Sequence, residues 1–122
     1  MLGQAPERVF KTLVTEGKSG CHYVFVIPGP GTLDLRKAAR AAGEKSVAML
    51  PQKELLPLTG YIHGGCSPIG MKKQFPTFLH ESALQCETIF YSAGRIGMQI
   101  ESSPNVLRQV VPLQTADLLI SD

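Results

Sequence analysis

Histidine, cysteine, serine and lysine crowd into one glycine-rich stretch, GYIHGGCSPIGMKK at 60–73, so side-chain chemistry is the first possibility to test there. His63 stands three residues before Cys66, Ser67 follows, and Lys72 and Lys73 close the run. A structural zinc site takes four such ligands, usually as two close pairs, and only His63 with Cys66 resembles one; Cys21 and His22 are adjacent residues elsewhere in the chain. No metal is therefore expected, the cysteines reading as small buried apolar residues and His63 as a loop residue. Ser67 lies outside a GxSxG elbow and has no base that spacing nominates. PGPG (28–31) and GGCSPIGMKK lack the GxxxxGK[ST] and GxGxxG spacings, and their prolines remove backbone donors that phosphate loops use.

Two features survive this elimination. Gly60, Gly64, Gly65 and Gly70 let the backbone come close to a ligand and turn N–H groups toward it, although an ordinary glycine-rich turn has the same composition. Lys11 alternates with Val9 and Leu13 on one face of a β-branched run, with Phe10, Thr12 and Val14 on the other. It reads either as an edge or snorkelling lysine, or as a cation at the mouth of an apolar pocket, fixed for a phosphate or made labile by desolvation.

The elements that must hold these residues follow from periodicity and punctuation. ERVFKTLVT, Glu7 to Thr15, predicts a strand, TEGKSG a hairpin connection, CHYVFVI a second strand, and PGPG its closing turn. TLDLRKAARAAG predicts a helix capped by Thr32 or Asp34, with Leu35, Ala38, Ala39 and Ala42 on one face and a stop at Gly43. SVAML reads as a strand, QKELLPL as a short helical or turn segment broken by Pro57, and TFLHE, ETIFYSA and GMQIE as strands. SPNVLRQVV reads as a helix with Ser103 ahead of Pro104, and PLQTADLLIS as a last strand. Strands outnumber helices without regular alternation, which predicts an α+β class with a mixed, largely non-parallel, curled β-sheet flanked by helices.

At 122 residues, 43% hydrophobic and 18% charged, the chain is expected to form one domain over 1–122 around one core. A net charge of +2 tolerates a polyanionic partner but falls short of what gripping duplex DNA requires, so no DNA partner is expected. Three unevenly spaced cysteines fit reduced thiols. Neither a membrane-length apolar run nor a signal-peptide pattern in MLGQAPERVFK is present, and the expected address is the cytoplasm, with no membrane partner.

The order of the motifs, RVFKTLV, LDLRKAARAAG, LTGYIHGGCSPIGMKK, FPTFLHES and ETIFYSAGRIGMQIE, resembles the YbaK-like aminoacyl-tRNA deacylases. That family comprises freestanding Cys-tRNA(Pro) deacylases and the editing domain of bacterial prolyl-tRNA synthetases, and the likeness runs from about Glu7 to Ile120. It implies a barrel-like curled sheet and hydrolysis, in trans and without metal or cofactor, of the ester in mischarged tRNA of the Cys-tRNA(Pro) or Ala-tRNA(Pro) type. It also implies that Lys11 holds the terminal adenosine and its phosphate, that Gly64 and Gly65 present backbone groups at the ester, and that Ser67 and Ser92 lie beside it. The partners implied are the 3′ end of aminoacyl-tRNA and prolyl-tRNA synthetase. Attack by the substrate's own thiol and attack by a positioned water both stay open. Members of the family usually carry a further segment before the KTL strand, whereas here ten residues precede Lys11, and Gln99 stands where many members have an acid. The alternative expectation is thus a shortened, weakly active or inactive relative that binds a tRNA end or a synthetase, or a homo-oligomer paired through exposed strand edges.

Overall fold

A computed structural model describes residues 8–120. Glu7, Ser121 and the part of the N-terminal reading that rests on residues 1–7 lie outside the described residues. The chain opens as a hairpin, β1 (Phe10–Gly17) against β2 (His22–Pro28), as its two β-rich runs require. β1 runs two residues beyond the expected Thr15, because Glu16 and Gly17 still pair, with His22 and with the short strand β3 (Val47–Met49). Between β2 and β3 lies helix α1 (Leu35–Ala42), whose N-cap is Asp34: its carboxylate accepts from the N–H groups of Arg36 and Lys37. Ala38 and Ala39 face inward as expected, whereas Leu35 is 40% exposed.

Helix α2 (Gln52–Thr59) contains Pro57 without breaking there, a departure from the expected interruption. The proline removes one bond, but Thr59 Oγ1 donates to the Leu55 carbonyl (2.8 Å) and Gly60 N–H to the Leu56 carbonyl (2.9 Å), which hold the last turn. β4 (Thr77–His80) follows the glycine-rich stretch, then a 3₁₀ helix over Glu81–Gln85 that periodicity did not announce. β5 (Ile89–Ser92) and β6 (Gln99–Ser102) form an antiparallel ribbon, α3 (Pro104–Val110) is capped by Ser103, and β7 (Leu113–Ala116) is shorter than the expected final strand.

The main sheet has the order β3-β1-β2-β4-β7 and is mixed. β2–β4 and β4–β7 are parallel, so the sheet is less antiparallel than expected. The cause is connectivity: only β1–β2 and β5–β6 are joined by tight turns, while helices and long loops separate the other neighbours. β2 is buried on both faces. Tyr23, Phe25 and Ile27 pack under α1 with Ala38, Phe78 and Leu118; Val24 and Val26 pack on the other side with Leu55, Cys66, Leu79, Ile89, Tyr91 and Leu107. The ribbon joins the main sheet through an isolated parallel bridge between Val9 and Phe90. Arg8 reinforces that join: its Nε donates to the Thr88 carbonyl (3.1 Å), and its guanidinium lies 5.3 Å from the centroid of the Phe90 ring and 3.4 Å from Glu101. No helix among the described residues is long and apolar enough to cross a membrane.

His80, at the end of β4, is buried and accepts the Leu118 N–H on Nδ1 at 3.1 Å, so it must be unprotonated there. Burial holds its pKa below 6.5 against the opposing pull of Asp117 and Glu81. The unfolded chain therefore binds the proton more readily; this contribution to stability is complete above about 6.5, the unfolded value, and is lost as pH falls through the folded one. The urea midpoint is expected to fall between pH 7.5 and pH 5.5, and to fall less in His80→Gln. Equal slopes in the two proteins would remove His80 as the cause.

Candidate functional site

β3 covers only the far end of β1, at Thr15–Gly17, and the Val9–Phe90 bridge covers only its start. Between them one edge of β1 is open, and a cavity of about 780 Å³ runs along it. Consecutive residues from Val9 to Leu13 line this cavity, so it lies against the strand's edge and collects side chains from both faces. Leu55 of α2 forms one wall, the start of the glycine-rich stretch a second, and the β5–β6 connection a third. Arg8 and the Val9–Phe90 bridge hold that third wall in place.

Of the residues anticipated from sequence, Lys11, Gly64 and Ser92 line the cavity together. Lys11 is exposed, and among the described residues no carboxylate pairs with it. Ser92 closes β5, and its Oγ accepts the Gly94 N–H at 3.1 Å, which shapes the turn and leaves the hydroxyl proton free for another acceptor. Ser67 is placed differently: it is buried, outside the lining, with Oγ accepting the Ile69 N–H at 3.2 Å. It supports the loop from behind.

Gly65 is also behind the wall. Its N–H donates to the Ile62 carbonyl (3.0 Å), so that donor is committed inside the loop. A Cβ on Gly65 would lie 3.3 Å from the backbone nitrogen of Ile96 and 3.5 Å from the carbonyl carbon of Arg95. The absent side chain lets two loops touch backbone to backbone, and of the Gly64–Gly65 pair it is Gly64 that lines the cavity.

Among the lining residues that sequence reasoning passed over, His63, Cys66, Thr12 and Arg95 bear most on the chemistry. His63 and Cys66, set aside with the metal hypothesis, both contribute to the wall. Burial pushes the Cys66 thiol up to about 11, so at neutral pH it is a neutral, apolar surface and no thiolate nucleophile. Thr12 lines the cavity with its Oγ1 buried and without a hydrogen-bond partner among the described residues. Arg95, at the tip of the β5–β6 connection, is a second cation without a carboxylate partner there. The sign for it lay in GRIG, a cation between two turn-forming glycines, where a long side chain projects from a tight loop. Gln99 lines the cavity as well, and among the described residues the lining holds Lys11 and Arg95 but no aspartate or glutamate. Such a cavity attracts an anion and offers a neutral, side-chain-poor wall beside it.

The family model for the aminoacyl-tRNA editing domain matches residues 1–110. The chain is 53% identical over 117 residues to EbsC of Enterococcus faecalis, which is named as a candidate Cys-tRNA(Pro)/Cys-tRNA(Cys) deacylase; the match covers 96% of this chain and 71% of that protein. YwhH of Bacillus subtilis is 28% identical over 108 residues, 88% of this chain and 68% of that protein. Among solved structures, a candidate trans-editing enzyme for prolyl tRNA synthetase superimposes with a TM-score of 0.89 at 29% identity, covering 98% of this chain and 75% of that one.

Proposed function

This chain belongs to the aminoacyl-tRNA editing domain family, and from that premise we propose that it hydrolyses, in trans, the ester between a mischarged amino acid and the 3′ end of tRNA, of the Cys-tRNA(Pro) or Ala-tRNA(Pro) type. The observation that carries the reading is the cavity along the open edge of β1, with two cations that have no carboxylate partner among the described residues, no carboxylate among the described lining residues, and Gly64 on the facing wall. In this reading Lys11 holds the phosphate of the terminal adenosine and Arg95 a second phosphodiester. The ester then lies against the Gly64 wall, where a backbone N–H stabilises the oxygen that gains charge as the carbonyl is attacked. The attacking group is a water, which gives the free amino acid directly, or the thiol of the substrate's own cysteine, which closes a cyclic thioester that water then opens; in either case the carbonyl carbon–oxygen bond breaks and the ribose oxygen leaves with a proton. An aminoacyl ester is already reactive, so positioning and a positive field supply the acceleration without an activated side-chain nucleophile.

The test is release of cysteine or alanine from charged tRNA(Pro) by the purified chain over a series of salt concentrations. Hydrolysis is expected, with log KM rising with log salt; Arg95→Gln should weaken that slope by roughly 0.7, the value for one phosphate contact on a single strand. An unchanged slope in Arg95→Gln would remove the second contact. Saturable tRNA binding without hydrolysis would leave a binding module in place of an enzyme.

A further inference from the structure

The two loops that frame the cavity, 60–73 and 93–98, meet backbone to backbone at Gly65 and also across one aromatic side chain, and we propose that Tyr61 is a positioning residue that locks the Gly64 wall to the Arg95 wall. Tyr61 follows the left-handed cap of α2 at Gly60, and its N–H donates to Thr59 Oγ1 at 3.0 Å, so its backbone is anchored to the helix. Its phenol donates across its own loop to the Ile69 carbonyl at 2.5 Å. Gly70 lies against the phenol oxygen and Gly94 against the ring. A Cβ on Gly70 would lie 2.9 Å from the phenol oxygen, and a Cβ on Gly94 would lie 2.8 Å from Cε1, both closer than side-chain carbons approach. The ring therefore occupies space that any other residue at 70 or 94 would claim, and it packs onto the core cluster that holds Leu55 and Tyr91.

Gly94 precedes Arg95, and the second loop is internally braced: Ala93 N–H donates to the Met98 carbonyl (2.9 Å) and Met98 N–H to the Arg95 carbonyl (3.1 Å). What fixes Gly94 therefore fixes Arg95. On the first loop, closure between Tyr61 and Ile69 encloses Gly64, Gly65 and Cys66. Glycines at 64, 70, 94 and 97 all have positive φ and no side chain to tie either loop to the other, and beside the short serine contacts within each loop the shared ring supplies that tie. Only the kinetic part of this inference rests on the function proposed above.

The test compares Tyr61→Phe, which keeps the ring and removes the donor, with Tyr61→Leu, which removes the ring. Hydrogen–deuterium exchange is followed in 60–70, in 93–99 and in β2, alongside kcat and KM for deacylation. Tyr61→Leu is expected to speed exchange in both loops together while β2 keeps its protection, and to lower kcat about tenfold or more with a smaller change in KM. Tyr61→Phe, which loses only the donor to the Ile69 carbonyl of its own loop, should speed exchange in 60–70 and leave 93–99 near the native rate; Tyr61→Met is the second ringless variant should Tyr61→Leu not fold. In a ringless variant, faster exchange in 60–70 alone, or an even rise that includes β2, would overturn the inference, since the ring would then serve one loop or the core in general. A native chain without deacylase activity would sink the proposed function and leave the exchange comparison to decide the role of Tyr61.

Discussion

Lys11→Ala is expected to lower kcat/KM for deacylation by roughly 10²–10³-fold, the usual cost of removing one preorganised electrostatic contact, while leaving the urea midpoint where it was. The separation of the two effects follows from the surroundings of Lys11. It is exposed and without an ion pair among the described residues, and its strand is held by β2 and by the buried Phe10 and Val14. Nothing in the fold depends on its ammonium, so its removal is felt by the bound anion alone. Lys11→Arg keeps the charge but spreads it over a planar fork, and should recover part of the loss. Full activity in Lys11→Ala would remove this residue from the mechanism.

Gly65→Ala should bring the second large loss, about tenfold or more in kcat, because displacements of the order of 1 Å at a reacting centre cost up to about 10²-fold. The added methyl group would meet the Ile96 backbone nitrogen at 3.3 Å and the Arg95 carbonyl carbon at 3.5 Å, and backbone cannot rotate aside as a flexible side chain can. The loops must separate by a few tenths of an ångström, moving Gly64 and Arg95 apart. Gly20→Ala is the control. Gly20 has φ +93 and open space around its missing Cβ, in the β1–β2 turn, so alanine there carries backbone strain without touching the cavity. The expected pattern is lost stability with retained activity for Gly20→Ala, and lost activity with a retained fold for Gly65→Ala. If the two variants lose activity equally, general destabilisation explains both.

The strands and caps were legible wherever the cause is local. FKTLVT and HYVFVIP carry β-branched and aromatic residues between turn formers, and Asp34 and Ser103 sit where a helix needs a side chain for its first free N–H groups. Pro57 misled because the loss of one backbone bond was weighed without the side chain of Thr59, which ties the last turn. PLQTADLLIS promised one longer strand than β7, but the run is split: pairing with β4 ends at Ala116, Leu118 packs beside Ala38 under α1, and Leu119 pairs separately with Leu33 in an isolated bridge.

For the site, the order of motifs singled out Lys11, Gly64, Gly65, Ser67 and Ser92, of which Lys11, Gly64 and Ser92 line one cavity while Gly65 and Ser67 lie outside its lining. What each glycine is for was not legible. Gly64 and Gly65 are neighbours of identical chemistry, yet one faces the cavity and the other lets a distant loop approach. His63 and Cys66 were judged by their fitness as metal ligands and so were missed as wall.

By itself, then, the sequence determined most of the strands and the capped helices, the α+β class and the family, because periodicity, caps and motif order are properties of neighbouring residues. Only the tertiary structure decided that Arg95 joins Lys11, that Ser67 stands behind the wall, and that Tyr61 bridges two loops. Those outcomes depend on the parallel crossover from β2 to β4 and on the docking of the β5–β6 ribbon onto β1 at Val9 and Phe90, contacts between segments that no local pattern brings together.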